Sequence, residues 1–400
     1  MNDLISSRLR HRVRTLSTIL GETMTRQHGQ TFLSKVEEIR LLAKANRQSV
    51  TDPDNSVKGD HEQLRQVLNK LDDESLISVA RAFNQFLNLT NIAEQAESTE
   101  TVIGSQLEEL FTRLISKGID EQRVLETITS MRCDLVLTAH PTEITRRTLI
   151  QKYNRIASAL NDVNEDKELD TQERLDLERL IAEVWFTDEI RTERPTPQDE
   201  AKWGYAVIEH SLWSAIPRLW NRLSELTLKV TGETLPLSVA PIKISSWMGG
   251  DRDGNPNVTA DVTKEILRLA RWMAADLYLR DVEELLSQLS MSNCSSELAA
   301  ECPQGVDEPY RHILRSLRER LAATRTWAET SEPPEPGLIH SDADLIAPLQ
   351  LCYDSLLLCG MDIIADGLLK ETLIRANTFG VTLVELDIRQ SSDKHIELLD

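Results

Sequence analysis

The sequence predicts an α/β fold that is predominantly helical, and three observations carry that reading. Apolar residues recur at helical spacing over most of the chain, strand-like runs are few and short, and each of three such runs leads straight into a polar, chemically loaded segment. In α/β barrels and open α/β sheets, reactive groups collect in loops that leave the C-terminal ends of strands. The pattern therefore points to one shared site at the ends of these three strands.

The helical elements are read from period. Leu175, Leu177, Leu180, Ile181, Val184 and Trp185 recur mostly at spacings of three and four, as do Val262, Ile266, Leu269, Ala270, Met273 and Leu277. Such stripes mark amphipathic helices whose apolar face is core. Six of the seven tryptophans, Trp185, Trp203, Trp213, Trp220, Trp272 and Trp327, fall on such segments and read as packing residues. Pro217, inside an otherwise helical run, predicts a kink or a break, because it lacks the N–H that the helix ladder needs. Residues 51–60 and 329–337, the latter with Pro333, Pro334 and Pro336, read as surface linkers, and neither is long enough to mark a domain boundary.

Composition bounds the function. At 400 residues the length suggests about two to three domains or one large one. With 40% hydrophobic and 28% charged residues the chain is of the globular class, and 45 Lys and Arg against 65 Asp and Glu leave a formal charge of −20. That balance disfavours a nucleic-acid or anionic-membrane scaffold. No run approaches the roughly 18 apolar residues of a membrane helix, and the opening MNDLISSRLRHRVRTL lacks an apolar signal core, so a cytoplasmic location is expected. The five cysteines are odd in number and form no C-x-x-C pair, which suggests neither a disulfide framework nor a zinc ribbon.

The three strand exits carry the chemistry. The run Leu135–Thr138 passes into His140-Pro141-Thr142-Glu143 and then a helical segment containing Arg146 and Arg147. Proline suits the first helical position, which places His140 at or beside the cap, where an imidazole can trade protons near neutral pH. An anion bound at that helix start is favoured by the dipole and by both guanidinium groups. A capping histidine with two solvent-facing arginines is the competing account.

The run Ile242–Trp247 leads into a glycine-rich loop, Met248 to Asp261. The D-x-D-x-N start at Asp251 resembles a calcium loop, but position six would be Pro256 and position twelve Val262, so that reading fails. What remains is a constrained loop able to hold Arg252 between Asp251 and Asp253 near a substrate anion, or else an ordinary solvated turn. The third run, Thr382–Ile388, delivers Asp387 and Arg389 to the same side of a strand. Facing a barrel interior, Arg389 is an anion ligand that Asp387 could orient; the alternative is a plain edge-strand ion pair. Arg191 and Arg194, ahead of Pro195-Thr196-Pro197, read as a helix end with its loop.

Five segments together carry a resemblance to the bacterial-type phosphoenolpyruvate carboxylase family. They are FNQFLNLTNIAEQ at Phe83–Gln95, LVLTAHPTEITRRTLI at Leu135–Ile150, TDEIRTERPTPQDEAKWG at Thr187–Gly204, SSWMGGDRDGNPNVTADVT at Ser245–Thr263, and FGVTLVELDIRQSSDKH at Phe379–His395. They stand in family order and cover nearly the whole chain. One departure is Thr192, where the family commonly has a second basic residue.

The resemblance implies a partial TIM-like β/α barrel with many additional helices. It divides residues 1–400, the N-terminal portion of one large domain, into a mainly helical region at 1–130 and the first barrel strands with surrounding helices at 131–400. It further implies Mg²⁺-dependent carboxylation of phosphoenolpyruvate by bicarbonate in a homotetramer. Bicarbonate attacks the phosphoryl group, carboxyphosphate and an enolate form, and the enolate captures the released CO₂. His140 matches the proton acceptor in carboxyphosphate breakdown, Arg389 an arginine holding the phosphoryl oxygens, and Trp247 an apolar wall of the pocket that includes Arg252. Arg146 and Arg147 join the substrate-binding set.

The implied second half of such a protein carries the metal ligands, a catalytic lysine, further arginines and the site for inhibitory dicarboxylates, and none of those motifs is seen here. A partial chain, inactive and poorly soluble alone, is therefore expected. A non-catalytic acidic interaction protein, or one chain of a split enzyme, is the alternative.

Overall fold

The computed structural model describes residues 6–51, 58–138, 147–160, 163, 169–188, 195–253, 255–330 and 337–399. Helices dominate. In chain order the elements begin α1 (Ser7–His28), α2 (Gln30–Thr51), α3 (Lys58–Asn69), α4 (Asp73–Ser116), α5 (Glu121–Ser130), β1 (Cys133–Leu137), α6 (Arg147–Ala159), α7 (Thr171–Trp185) and α8 (Pro197–Val207). A π-helical turn, Ile208–Leu212, passes into α9 (Trp213–Thr231), followed by β2 (Ile242–Ser246), α10 (Ala260–Gln288), α11 (Ser296–Ala300), α12 (Pro309–Thr330) and α13 (Asp342–Leu358). The chain continues through α14 (Asp362–Ala365), α15 (Leu368–Phe379), a 3₁₀ turn at Gly380–Thr382, β3 (Glu385–Leu386) and α16 (Ser392–Leu399).

The chain forms two compact units. Met1–Ser105 with Thr145–Arg191 make the first, and Gln106–Ile144 with Thr192–Asp400 the second. In the first unit the stripe of α7 does what its period predicts: Leu177, Leu180, Ile181, Val184 and Trp185 are buried with Leu16, Ile19 and Leu20 of α1 and Ile156 of α6, while Leu175 stays exposed. Asp170 starts α7 with a reciprocal capping box to Glu173, which satisfies two of its otherwise orphaned backbone donors. Arg12, fully buried, donates from Nε to the carbonyl of Val163 at 3.1 Å, meeting the rule that a buried charge needs a partner.

In the second unit α10 is the central pillar. Its predicted stripe holds, with Ile266, Ala270, Met273 and Leu277 buried in the core cluster and Val262 and Leu269 packed partly against it. The three strands form one parallel sheet in the order β1-β2-β3. Leu135 stands opposite Ile244, and Ser246 opposite Leu386.

The described strands make one three-stranded parallel sheet within a mostly helical chain, which fits the α/β expectation at that level. Details of the elements differ from expectation. The third strand is shorter than its apolar run, because Gly380–Thr382 is a 3₁₀ turn and buried Leu383 takes a left-handed φ of 65°, which no extended strand can contain. Helix α9 runs through Pro217 without a break. The proline removes the hydrogen bond that the Trp213 carbonyl would receive, and Arg375 of α15 replaces it, donating from Nε at 2.8 Å. The first linker is shorter at both ends than composition suggests, since Thr51 closes α2 and Lys58 opens α3, and the second starts later, since Thr330 closes α12.

Candidate functional site

The exits of β2 and β3 run side by side beyond the strands proper. The Asp387 N–H donates to the Ser246 carbonyl at 3.0 Å, Arg389 N–H to the Gly250 carbonyl at 2.9 Å, and Arg252 N–H to the Arg389 carbonyl at 2.9 Å. Asp251 and Arg389 thus form a parallel bridge. From the other side Trp247 N–H donates to the Leu137 carbonyl at 3.0 Å, so all three strand ends are tied together.

Two glycines make that approach possible. A Cβ on Gly250 would stand 2.1 Å from the Asp387 carbonyl oxygen, which no side chain tolerates. Gly249 has a φ of 79°, the left-handed region that glycine enters without steric cost, and lets Trp247 O accept from the N–H groups of both Gly250 and Asp251 at 2.9 Å.

This backbone brings four side chains into one constellation. The Arg389 guanidinium carbon lies 4.0 Å from the centroid of the Trp247 ring, in cation–π range. Arg389 Nη1 donates to Asp251 Oδ2 at 3.1 Å, and Trp247 Nε1 donates to Asp387 Oδ2 at 3.2 Å. The Arg389 side chain remains 43% exposed, so its remaining donors are reachable by a ligand. Arg252 faces the other way, towards α10, where Nη2 donates to Thr263 Oγ1 at 3.3 Å and Nε is buried without a hydrogen-bond partner. The buried Thr263 hydroxyl in turn is 2.8 Å from the Gly249 carbonyl, pinning the loop to the first turn of α10.

Trp247, Asp387 and Arg389 therefore meet as residues of one site, but the expected pairings are corrected. Arg252 is not held between Asp251 and Asp253; Asp251 serves Arg389, and its Oδ1 accepts the Asp253 N–H at 3.2 Å in an Asx turn. Asp387 holds the Trp247 indole rather than Arg389. The reason is register: the bridge sets Asp251 directly beside Arg389 and turns the next residue, Arg252, to the opposite side. Thr263 is not among the expected site residues; it closes the family-like segment Ser245–Thr263, but its role depends on a contact fourteen residues back at Gly249.

His140, Arg146, Arg191 and Arg194 lie outside the described residues, and Arg147 is the first residue of α6, its side chain undescribed. Thr196 and Asp199 form a capping box that starts α8 with Pro197 at its first turn. Among the described residues no group of three or more His, Cys, Asp or Glu could hold a metal ion, and Asp251 and Asp387 are already engaged. The implied Mg²⁺ has no ligand set in these residues. No described helix is long and apolar enough to cross a membrane, and all five cysteines are free.

Parallel strand ends that converge on an accessible arginine seated over a tryptophan ring make this an α/β protein whose strand-end site is chemically able to hold an oxyanion. The family model described as phosphoenolpyruvate carboxylase matches residues 9–400, and the chain belongs to that family. It is 50% identical over 407 residues to the phosphoenolpyruvate carboxylase of Pseudomonas fluorescens (strain Pf0-1), covering 98% of this chain and 45% of the relative. The enzyme of that name from Hahella chejuensis is 48% identical over 409 residues, with the same coverage, and that from Marinobacter nauticus 48% over 403 residues, covering 97% and 45%. The chain thus spans about half the length of the curated relatives it matches.

Proposed function

We propose that this chain supplies the strand-end half of a site that carboxylates phosphoenolpyruvate with bicarbonate, giving oxaloacetate and phosphate. The observation that carries it is Arg389, stacked on Trp247 and tethered by one N–H to Asp251, with its other donors free to take phosphoryl oxygens. A bicarbonate oxygen attacks phosphorus, the bond from phosphorus to the enol oxygen breaks, and its electron pair leaves as the enolate. Carboxyphosphate then gives up its carboxyl proton to His140 and splits into CO₂ and phosphate. The enolate carbon closes the new carbon–carbon bond on CO₂, and the proton on His140 passes to phosphate.

In this reading Trp247 is the apolar wall and Arg146 and Arg147 add positive charge for the substrate anion, while Arg252, turned towards Thr263, braces the glycine-rich loop. Mg²⁺ would supply charge neutralisation at the phosphoryl and enolate oxygens. Its ligands, the homotetramer, the dicarboxylate control and a cytoplasmic location are proposals about the longer protein, of which this chain is the N-terminal part. The test is the full-length protein with phosphoenolpyruvate, bicarbonate and Mg²⁺. Oxaloacetate and phosphate in equal amounts, dependent on bicarbonate, are expected; phosphate release without oxaloacetate, or no consumption of phosphoenolpyruvate, overturns the reading.

A further inference from the structure

We infer that Asp251 is a positioning residue that fixes the pose of Arg389 for the incoming anion; the inference rests on the proposed role of Arg389 as the oxyanion ligand. A long, flexible arginine gains most as an anion ligand when its fork is held before the ligand arrives, because the ordering cost is then already met. Three contacts hold this one. The backbone bridge fixes the Cα of Arg389 beside Asp251, the Trp247 ring supports the guanidinium from below at 4.0 Å, and Asp251 Oδ2 takes a single N–H at 3.1 Å.

The single contact is what separates a tether from a competitor. A carboxylate that gripped the fork with both oxygens would occupy the edge an oxyanion needs. Asp251 does not do so: only Oδ2 meets the fork, while its second oxygen, Oδ1, accepts the Asp253 N–H at 3.2 Å. The same carboxylate therefore shapes the loop with one oxygen and aims Arg389 with the other. Asp387, the residue that strand alternation nominates for this task, is committed to the indole N–H of Trp247.

The test is steady-state kinetics on the full-length protein. Asp251→Asn retains an oxygen for the Asx turn but replaces the ion-pair oxygen with an amide N–H. The Michaelis constant for phosphoenolpyruvate is expected to rise about fivefold or more, as is the inhibition constant of inorganic phosphate used as a probe, with the thermal midpoint unchanged. In an Arg389→Ala background the same Asp251→Asn change is expected to add nothing. An unchanged or lower Michaelis constant for Asp251→Asn overturns positioning in favour of charge competition. An equal effect in both backgrounds overturns it in favour of a loop-folding role. If Arg389→Ala alone leaves the Michaelis constant unaltered, the oxyanion role of Arg389 itself falls, and the positioning role with it.

Discussion

The Arg389 guanidinium carbon sits over Trp247, 4.0 Å from the ring centroid, and the indole N–H donates to Asp387. The tryptophan therefore does two separable things: its face supports the arginine, and its edge is anchored to the β3 exit. Phenylalanine at position 247 keeps the face and loses the anchor. Trp247→Phe should raise the Michaelis constant for phosphoenolpyruvate only a few-fold, in line with one lost hydrogen bond of about 0.5–1.5 kcal/mol. Trp247→Ala, which removes the face as well, should raise it further; steady-state kinetics on the full-length protein separates the two.

The close approach at Gly250 is a second point of failure. Alanine there sets a Cβ 2.1 Å from the Asp387 carbonyl oxygen and 3.2 Å from Leu386 Cγ, so the β2 and β3 exits must part. Gly250→Ala is expected to lower stability by about 1–3 kcal/mol, the usual range for overpacking, and to abolish most activity because Asp251 and Arg389 separate. Urea unfolding beside an activity assay checks both.

Arg375 is 6% exposed in the core of the second unit, and its charge is fully answered. It donates to the Trp213 carbonyl that Pro217 leaves free, to Asp281 Oδ2 at 2.9 Å and to Glu371 Oε2 at 3.0 Å. Burial pushes the Asp281 carboxyl up, and Arg375 pulls it back. Arg375→Met leaves a buried carboxylate and a buried carbonyl without that partner, and a loss of about 3–5 kcal/mol is expected by chemical denaturation.

Stability should fall in acid partly through Asp344. Hydrogen bonds from the Arg320 guanidinium at 2.7 Å and the Ser341 hydroxyl and N–H hold its carboxyl well below the ordinary 3.8. A carboxylate with a depressed folded value adds stability that is complete above its unfolded value and drains away as pH falls from about 4 towards the folded value. In Asp344→Asn the stability curve measured by urea unfolding from pH 5 to pH 2.5 should be flatter than in the unmodified protein. An unchanged slope would remove Asp344 from the acid transition.

How much of this could be read from the sequence follows from the range of the interactions involved. Helices α7 and α10 were legible because their apolar residues repeat within one element, and the strand exits because an apolar run followed by glycine and charged residues is a local pattern. The partner exchange, in which Asp251 rather than Asp387 pairs with Arg389, was not legible. It depends on how the β2 and β3 exits align across 138 residues of chain. That α9 continues unbroken through Pro217 was hidden for a similar reason: the remedy for the missing hydrogen bond comes from Arg375, 162 residues away from the Trp213 carbonyl. The left-handed Leu383 broke a run whose composition is that of a strand, and tertiary packing overrode it.

The most direct test of the central claim is His140→Asn in the full-length protein, with oxaloacetate formation and phosphoenolpyruvate binding measured on the same sample. A side chain that takes the proton of carboxyphosphate is worth about 10²–10⁴-fold in rate, so oxaloacetate formation should fall at least a hundredfold while phosphoenolpyruvate still binds. Oxaloacetate at the unmodified rate would contradict the account.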